Sequence, residues 1–316
     1  MSLARRWLTP APAALVLVAF LWGGGFTASK AAVADVPPLA SALMRYALAS
    51  LVLVPLYRRE RRSLPPERYT AFTWKALVAL GLTAVTGYNA LYFLGLTLAP
   101  SSDSILLIPT TNPIWTTLVA TLFIGERPGQ RLLIGMAVAL GGMTLVLLGG
   151  YTGDFDNSRL LGNGLFILAA MIFGASHVVG RVATRQISPI GATTVSGVIG
   201  GIVLLPIAMV EGGLGELLSA PVSYWLNIAF VAFGVTALGY VIWYRSVSRI
   251  GAGRTSFYTN LVPIFGLTLS AIFLREYPSP IQILGGIVML SAIVWVTLER
   301  SPGAPLAQSQ PSGGKT

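Results

Sequence analysis

LWGGGFTASK, residues 21–30, returns as IFGASHVVGR at residues 172–181. Trp22-Gly23, Phe26 and Lys30 fall opposite Phe173-Gly174, His177 and Arg181. The same register sets Gly87-Tyr88 and Tyr92 against Gly239-Tyr240 and Tyr244, and Asn112-Pro113-Ile114 against Val262-Pro263-Ile264. Glu126-Arg127-Pro128 then meets Glu276-Tyr277-Pro278. An offset held near 150 residues along the whole chain is an internal repeat. Each copy carries an odd number of apolar segments. If these cross a membrane, the second copy enters it upside down, the arrangement on which alternating access is built.

Composition places the segments in lipid. The 316 residues have a mean hydropathy of +0.74, with 54% hydrophobic and only 10% charged side chains, too few polar groups to cover a soluble surface. A hydrocarbon core about 30 Å thick needs about 20 apolar residues per helix. Ten segments satisfy this: 12–34, 39–57, 75–97, 103–124, 130–150, 160–182, 190–210, 224–245, 253–274 and 280–299. The expected fold is an all-α integral membrane protein of ten transmembrane helices in two inverted five-helix repeats, residues 1–150 and 151–300. A tail over 301–316, rich in Pro, Gly, Ser and Gln, reads as disordered and cytoplasmic.

Charge orients the bundle. With both termini cytoplasmic, 17 of the 21 Lys and Arg residues fall in inner segments, leaving Lys30, Arg45, Arg159 and Arg275 toward the outer side. The net charge of +10 is then a topology signal and a contact with anionic membrane lipid. It is not a nucleic-acid footprint, because the basic residues are scattered over loops. Arg5-Arg6 before an apolar run has the outline of a secretory signal. Cleavage near Ala28 would remove the partner of the helix carrying His177, so a retained span is expected. The absence of cysteine excludes disulfides and thiolate metal sites.

Trp22, Phe26 and Lys30 share one helical face, as do Phe173, His177 and Arg181. Cations inside spans are costly and face a cavity or a partner, so Lys30 and Arg181 are candidates for an anionic substrate group, or else anchors that snorkel to helix ends. His177, the single histidine, suits substrate binding or proton coupling, or a hydrogen bond between helices. Tyr88 and Tyr92 beside Asn89, with Tyr240 and Tyr244 as their counterparts, either line a pocket for a flat or amphipathic solute or pack helices. Pro113 and Pro263 predict kinks that expose backbone carbonyls, beside which Asn112 and Asn260 offer acceptors for an ammonium group. Gly135, Ala139, Gly141-Gly142 and Gly285-Gly286 suit close helix approach. Arg45 reads as a structural ion pair or a lipid-headgroup contact.

Absences narrow the chemistry. Asp103, Glu126, Glu276 and Glu299 all fall at span ends, leaving no central carboxylate for a proton relay. Either His177 couples transport to protons or the protein is a facilitator. No HExxH, GxSxG, P-loop or Asp-rich metal motif occurs, so neither catalysis, a metal nor a cofactor is expected.

LWGGGFTASKAAVADVPPLASALMRY (21–46), PTTNPIWTTLVATLFIGERPGQRLLIGMAVALGG (109–142) and LVPIFGLTLSAIFLREYPSPIQILGGIVML (261–290) resemble the drug/metabolite transporter superfamily in its ten-helix EamA-type branch. The resemblance runs from about residue 12 to 299. It implies a substrate cavity between the halves, walled by the first, third, fourth, sixth, eighth and ninth helices, with the fifth and tenth set aside for packing. It also implies an exporter of small molecules in the bacterial inner membrane, monomeric or weakly dimeric. The tyrosine-rich lining makes the chain similar to exporters of aromatic and other neutral amino acids. An exporter of drugs or quaternary cations is the alternative. In the leading reading Trp22, Lys30, Tyr88, Asn89, Tyr92, Asn112, Phe173, His177, Tyr240, Tyr244 and Asn260 bind substrate, and Pro113, Pro263 and Arg181 gate.

Overall fold

The computed structural model describes residues 11–63, 69–124, 129–150, 157–250 and 258–298. The basic residues Arg5, Arg6, Arg127 and Arg254, the Glu126-Arg127-Pro128 motif and the tail from Ser301 lie outside them, as do the side chains of Pro113 and Tyr244. The described residues are helical and contain no strand. In chain order they form α1 (Ala11–Ala32), α2 (Pro38–Arg61), α3 (Ala71–Leu98), α4 (Ser101–Ile124), α5 (Gln130–Gly149), α6 (Asn157–Ala183) and α7 (Pro189–Glu211). Next come α8 (Val222–Ala229, continued through Phe230–Gly239 and Tyr240–Ile250), α9 (Tyr258–Phe273) and α10 (Pro280–Leu298). Among the described residues, eight helices are long and apolar enough to cross a membrane, and two shorter apolar ones end the series.

Two expectations about backbone change. α3 and α8 are not plain α-helices: Gly81–Gly87 and Phe230–Gly239 are π-helical. The wider turn misaligns the ladder and frees carbonyls, and side chains take them up. Asn89 Nδ2 donates to Ala84 O (3.1 Å) and Val85 O (2.8 Å), Thr236 Oγ1 to Val231 O (3.0 Å), and Trp22 Nε1 to Val235 O (3.2 Å). Pro263, expected to kink the middle of a span, instead stands in the first turn of the α-helix Val262–Phe273, after the 3-10 turn Tyr258–Leu261. A proline N–H is not needed there. The helix bearing Pro113 runs unbroken over Ser101–Ile124.

Helices of the two halves pack in exchanged pairs. α2 lies on α7 and α5 on α10, α4 meets α6 where α9 meets α1, and α3 meets α6 where α8 meets α1. Such exchange is what a two-fold relation between halves produces. The α2–α7 pair carries it into its caps. Glu211, ending α7, accepts from Leu39 N and Ala40 N (3.1 and 3.0 Å) at the start of α2. Glu60, ending α2, accepts from Ser188 Oγ (2.7 Å) at the start of α7. A carboxylate on orphan N–H groups at the positive end of a helix dipole is stabilising, and this reciprocity makes the two helices antiparallel.

Glycine sets the closest approach. A Cβ on Gly142 would come 2.7 Å from Gly285 O, and one on Gly285 would come 2.6 Å from Gly142 O. α5 and α10 therefore touch backbone to backbone, as small residues allow in lipid. Gly142→Leu should overpack this seam by about 1–3 kcal/mol and cut the yield of monodisperse protein. Gly141→Leu is its control, since nothing lies within 4 Å of a Cβ there. Equal yields for the two variants would show that the seam does not limit folding.

Candidate functional site

Between the halves lies a cavity of about 1010 Å³, large enough for a small-molecule ligand. Its walls include Trp22 and Phe26 from α1, Tyr88 from α3, Asn112 from α4, Phe173, His177 and Arg181 from α6, Tyr240 and Trp243 from α8, and Thr259 and Val262 from α9. The aromatic groups are coupled. Tyr88 stacks on Phe173 with ring centres 4.5 Å apart, Phe173 meets His177 edge-on at 4.7 Å, and Trp22 lies 5.7 Å from Tyr240 and 5.0 Å from Trp243. Offset and edge contacts of this kind hold rings in place by about 0.5–1.5 kcal/mol each beyond their area. His177, Arg181 and Thr184 are exposed along α6, marking the open end, whereas Tyr88 is buried.

Other expected residues stand elsewhere, for physical reasons. Lys30 is not in the wall: its Nζ donates to Leu96 O and Ala99 O (2.9 Å), so the cation caps the carbonyl end of α3, where the helix dipole favours it. Asn89 is fully buried and spends its amide on the π carbonyls. Tyr92 lies one layer behind the wall, parallel to Tyr88 at 5.7 Å and packed edge-on against Phe26 and Phe93. Asn112 lines the cavity with its Oδ1 taken by Thr116 Oγ1 at 3.0 Å. Asn260 is outside the wall, its Nδ2 buried without a hydrogen-bond partner.

The wall also contains what the residue pattern did not indicate. Arg45 and Tyr46 of α2 and Thr193 and Ser196 of α7 line it, so the second and seventh spans take part. Arg45, expected in an ion pair or at a lipid headgroup, has no ion-pair partner among the described residues: it is 7% exposed and donates to neutral acceptors within the bundle. An ionisable residue two turns inside an apolar segment was the one sequence signal for it. The fifth and tenth spans do pack on each other, yet Leu132, Met136 and Ile293 extend the cavity along them. Among the described residues, no Asp or Glu lines the cavity.

Two acids, Asp103 buried and Glu276 half-buried, gather instead at the opposite end. Arg159 grips Asp103 through Nε and Nη2, both at 2.8 Å, and Gln282 Nε2 donates to the same carboxylate at 2.8 Å. Glu276 Oε2 accepts from Ser101 Oγ (2.7 Å), Ser102 N (3.1 Å) and Ser270 Oγ (3.0 Å). Arg275, at φ 57°, accepts a left-handed conformation costing about 1–2 kcal/mol and turns the chain so that Glu276 reaches α4. With Lys30, these bonds tie the ends of α1, α3, α4, α6, α9 and α10 together, and the cavity stops short of them.

Comparison with known proteins agrees with this architecture. The EamA-like transporter family matches residues 10–148 and again residues 160–298. An uncharacterized transporter of Bacillus subtilis (strain 168), YyaM, is 28% identical over 275 residues, covering 86% of this chain and 88% of the relative. A probable terminal-alkyne amino-acid exporter of Streptantibioticus cattleyicolor is 26% identical over 298 residues, 92% of this chain and 94% of that one. A solved crystal structure superposes with a TM-score of 0.60 at 20% identity, covering 91% of this chain and 96% of its own, and so shares the fold. The chain belongs to the EamA-like transporter family, within the drug/metabolite transporter superfamily.

Proposed function

We propose that this member of the EamA-like transporter family exports amino acids, aromatic and other neutral ones, across the bacterial inner membrane. The observation that carries the substrate class is the cavity wall. Trp22, Tyr88, Phe173, Tyr240 and Trp243 offer flat apolar faces to a side chain, and the hydroxyl groups of Thr110 and Thr259 offer acceptors for an ammonium. A similar protein named as a probable amino-acid exporter lends support. The lack of carboxylates among the described wall residues weighs against export of quaternary cations, which the aromatic faces alone would otherwise attract.

In this reading the chain is two inverted five-helix repeats, residues 1–150 and 151–300, that rock against each other around a fixed site. The exchanged caps of Glu60 and Glu211 support it. With a cytoplasmic N-terminus, the tied end holding Asp103 and Glu276 faces outward and the open end at Arg181 faces the cytoplasm, ready to load substrate for export.

Counterflow of a labelled aromatic amino acid into proteoliposomes, with and without an imposed pH gradient, tests the proposal. Saturable uptake above that of empty vesicles is expected. If uptake rises with the gradient and His177→Ala abolishes only that rise, His177 couples protons; uptake indifferent to the gradient makes the protein a facilitator. No uptake by folded protein, together with uptake of a quaternary cation, would replace the amino-acid reading.

A further inference from the structure

We propose that Arg45 is the anion-binding residue of the transport cavity, and that the substrates this site selects carry a free carboxylate beside an apolar, preferably aromatic, body. The inference deepens the amino-acid reading above and rests on its assumption that the cavity holds the substrate.

Arg45 lies seven residues into α2, about 10 Å below the helix start at 1.5 Å per residue, and lines the same cavity as Tyr88 and Tyr240. Its two hydrogen bonds go to neutral groups. Nε donates to Thr236 Oγ1 at 3.0 Å and Nη1 to Asn89 Oδ1 at 3.1 Å. Both acceptors are held in orientation by the π segments. Thr236 gives its own proton to Val231 O, so its lone pairs face Arg45; Asn89 gives its amide protons to Ala84 O and Val85 O, so its oxygen does. One acceptor stands in each half of the chain. The guanidinium is thus clamped between Asn89 of α3 and Thr236 of α8, with Tyr46 beside it at 5.6 Å.

Five N–H donors belong to a guanidinium, and these two bonds leave the rest of the fork without a hydrogen-bond partner among the described residues. Among the described residues, no carboxylate pairs with Arg45 and none lines the cavity. A buried cation lacking an anion is costly, whereas a preorganised fork binds a carboxylate through two parallel bonds. The group that completes this site arrives with the substrate. Its placement is one-sided: 151 residues further on, the equivalent position is Ser196, also in the wall. Arg181, the other arginine of the wall, stands on the second half at the exposed open end, so a carboxylate held by the buried Arg45 is aligned in a single direction. The aromatic faces of Tyr88, Trp22 and Tyr240 are left for the other end of the molecule.

Ligand-induced protection of the detergent-solubilised protein against heat separates this from the transport reading. The probes are phenylalanine, 3-phenylpropanoate, phenylalaninamide and phenethylamine. Phenylalanine and 3-phenylpropanoate should protect, and the two probes without a carboxylate should need concentrations on the order of 30-fold higher. Arg45→Gln should remove the advantage of the carboxylates, and Arg45→Lys, keeping charge but losing the fork, should restore part of it. Where Arg45→Gln fails to fold, the ranking of probes on the unmodified protein decides. Protection by 3-phenylpropanoate without counterflow of any amino acid would support the anion site and refute the amino-acid reading. Equal protection by phenylalanine and phenylalaninamide, or carboxylate preference surviving in folded Arg45→Gln, would overturn the role of Arg45. So would the absence of carboxylate-dependent protection in folded protein.

Discussion

Asp103→Ala should lower the heat-denaturation midpoint of the detergent-solubilised protein by about 10 °C. Asp103 is fully buried and takes the Arg159 fork and the Gln282 amide on one carboxylate. Deleting one partner of a buried pair costs about 3–5 kcal/mol, because the other charge is stranded, and each kcal/mol moves the midpoint by a few degrees in a chain of this size. Asp103→Ala combined with Arg159→Ala should regain much of the loss, since no guanidinium then lacks its anion. The test is a thermal scan of the two single variants and the double variant. A single variant that melts within a degree or two of the parent would mean that the tied end is held by the Glu276 cap and the Lys30 contact instead.

Tyr88→Ala and Tyr240→Ala should each reduce counterflow of a labelled aromatic amino acid on the order of ten-fold at limiting concentration, while Tyr88→Phe retains most of it. Tyr88 is the ring that joins Phe173 across the interface of α3 and α6, and Tyr240 the one that meets Trp22. Losing an aromatic neighbour removes about 0.5–1.5 kcal/mol of pairing, to which the emptied volume adds. Because Tyr92 is behind the wall and fully packed, Tyr92→Ala should lower the amount of folded protein rather than the transport per folded molecule. Unchanged counterflow in folded Tyr88→Ala and Tyr240→Ala together would show that these rings pack helices and do not meet substrate.

The division between what was legible and what was not follows periodicity. Helix positions could be read because a span needs a long uninterrupted apolar run, and the placed segments agree with the helices to within a few residues, as with 160–182 against Asn157–Ala183. The segment at 253–274 is the exception: residues 251–257 fall outside the described part, and α9 is described from the 3-10 turn Tyr258–Leu261 into the α-helix Val262–Phe273. Trp22, Phe173 and Tyr240 could be read as wall residues because spacing on one helix face survives folding. Lys30 misled, because a cation near a helix end has two uses, a substrate or a row of orphan carbonyls, and only the arrival of α3 beside α1 decided for the second.

The amino-acid sequence by itself determined that this chain is a bundle of membrane-crossing helices, that its halves repeat, and which helix faces carry aromatic rings. Apolar length, repeat register and 3.6-residue periodicity are properties of the chain alone. Tertiary structure alone decided which end is tied and which charge faces the cavity. Asp103 and Arg159 are 56 residues apart, and Arg45 and Thr236 are 191 apart. Their meeting depends on how α2, α4, α6 and α8 pack. The π segments of α3 and α8 belong to the same class: glycine-rich runs at 81–87 and 230–239 permit the wider turn, and the neighbours that take up the freed carbonyls, Asn89, Trp22 and Thr236, make it persist.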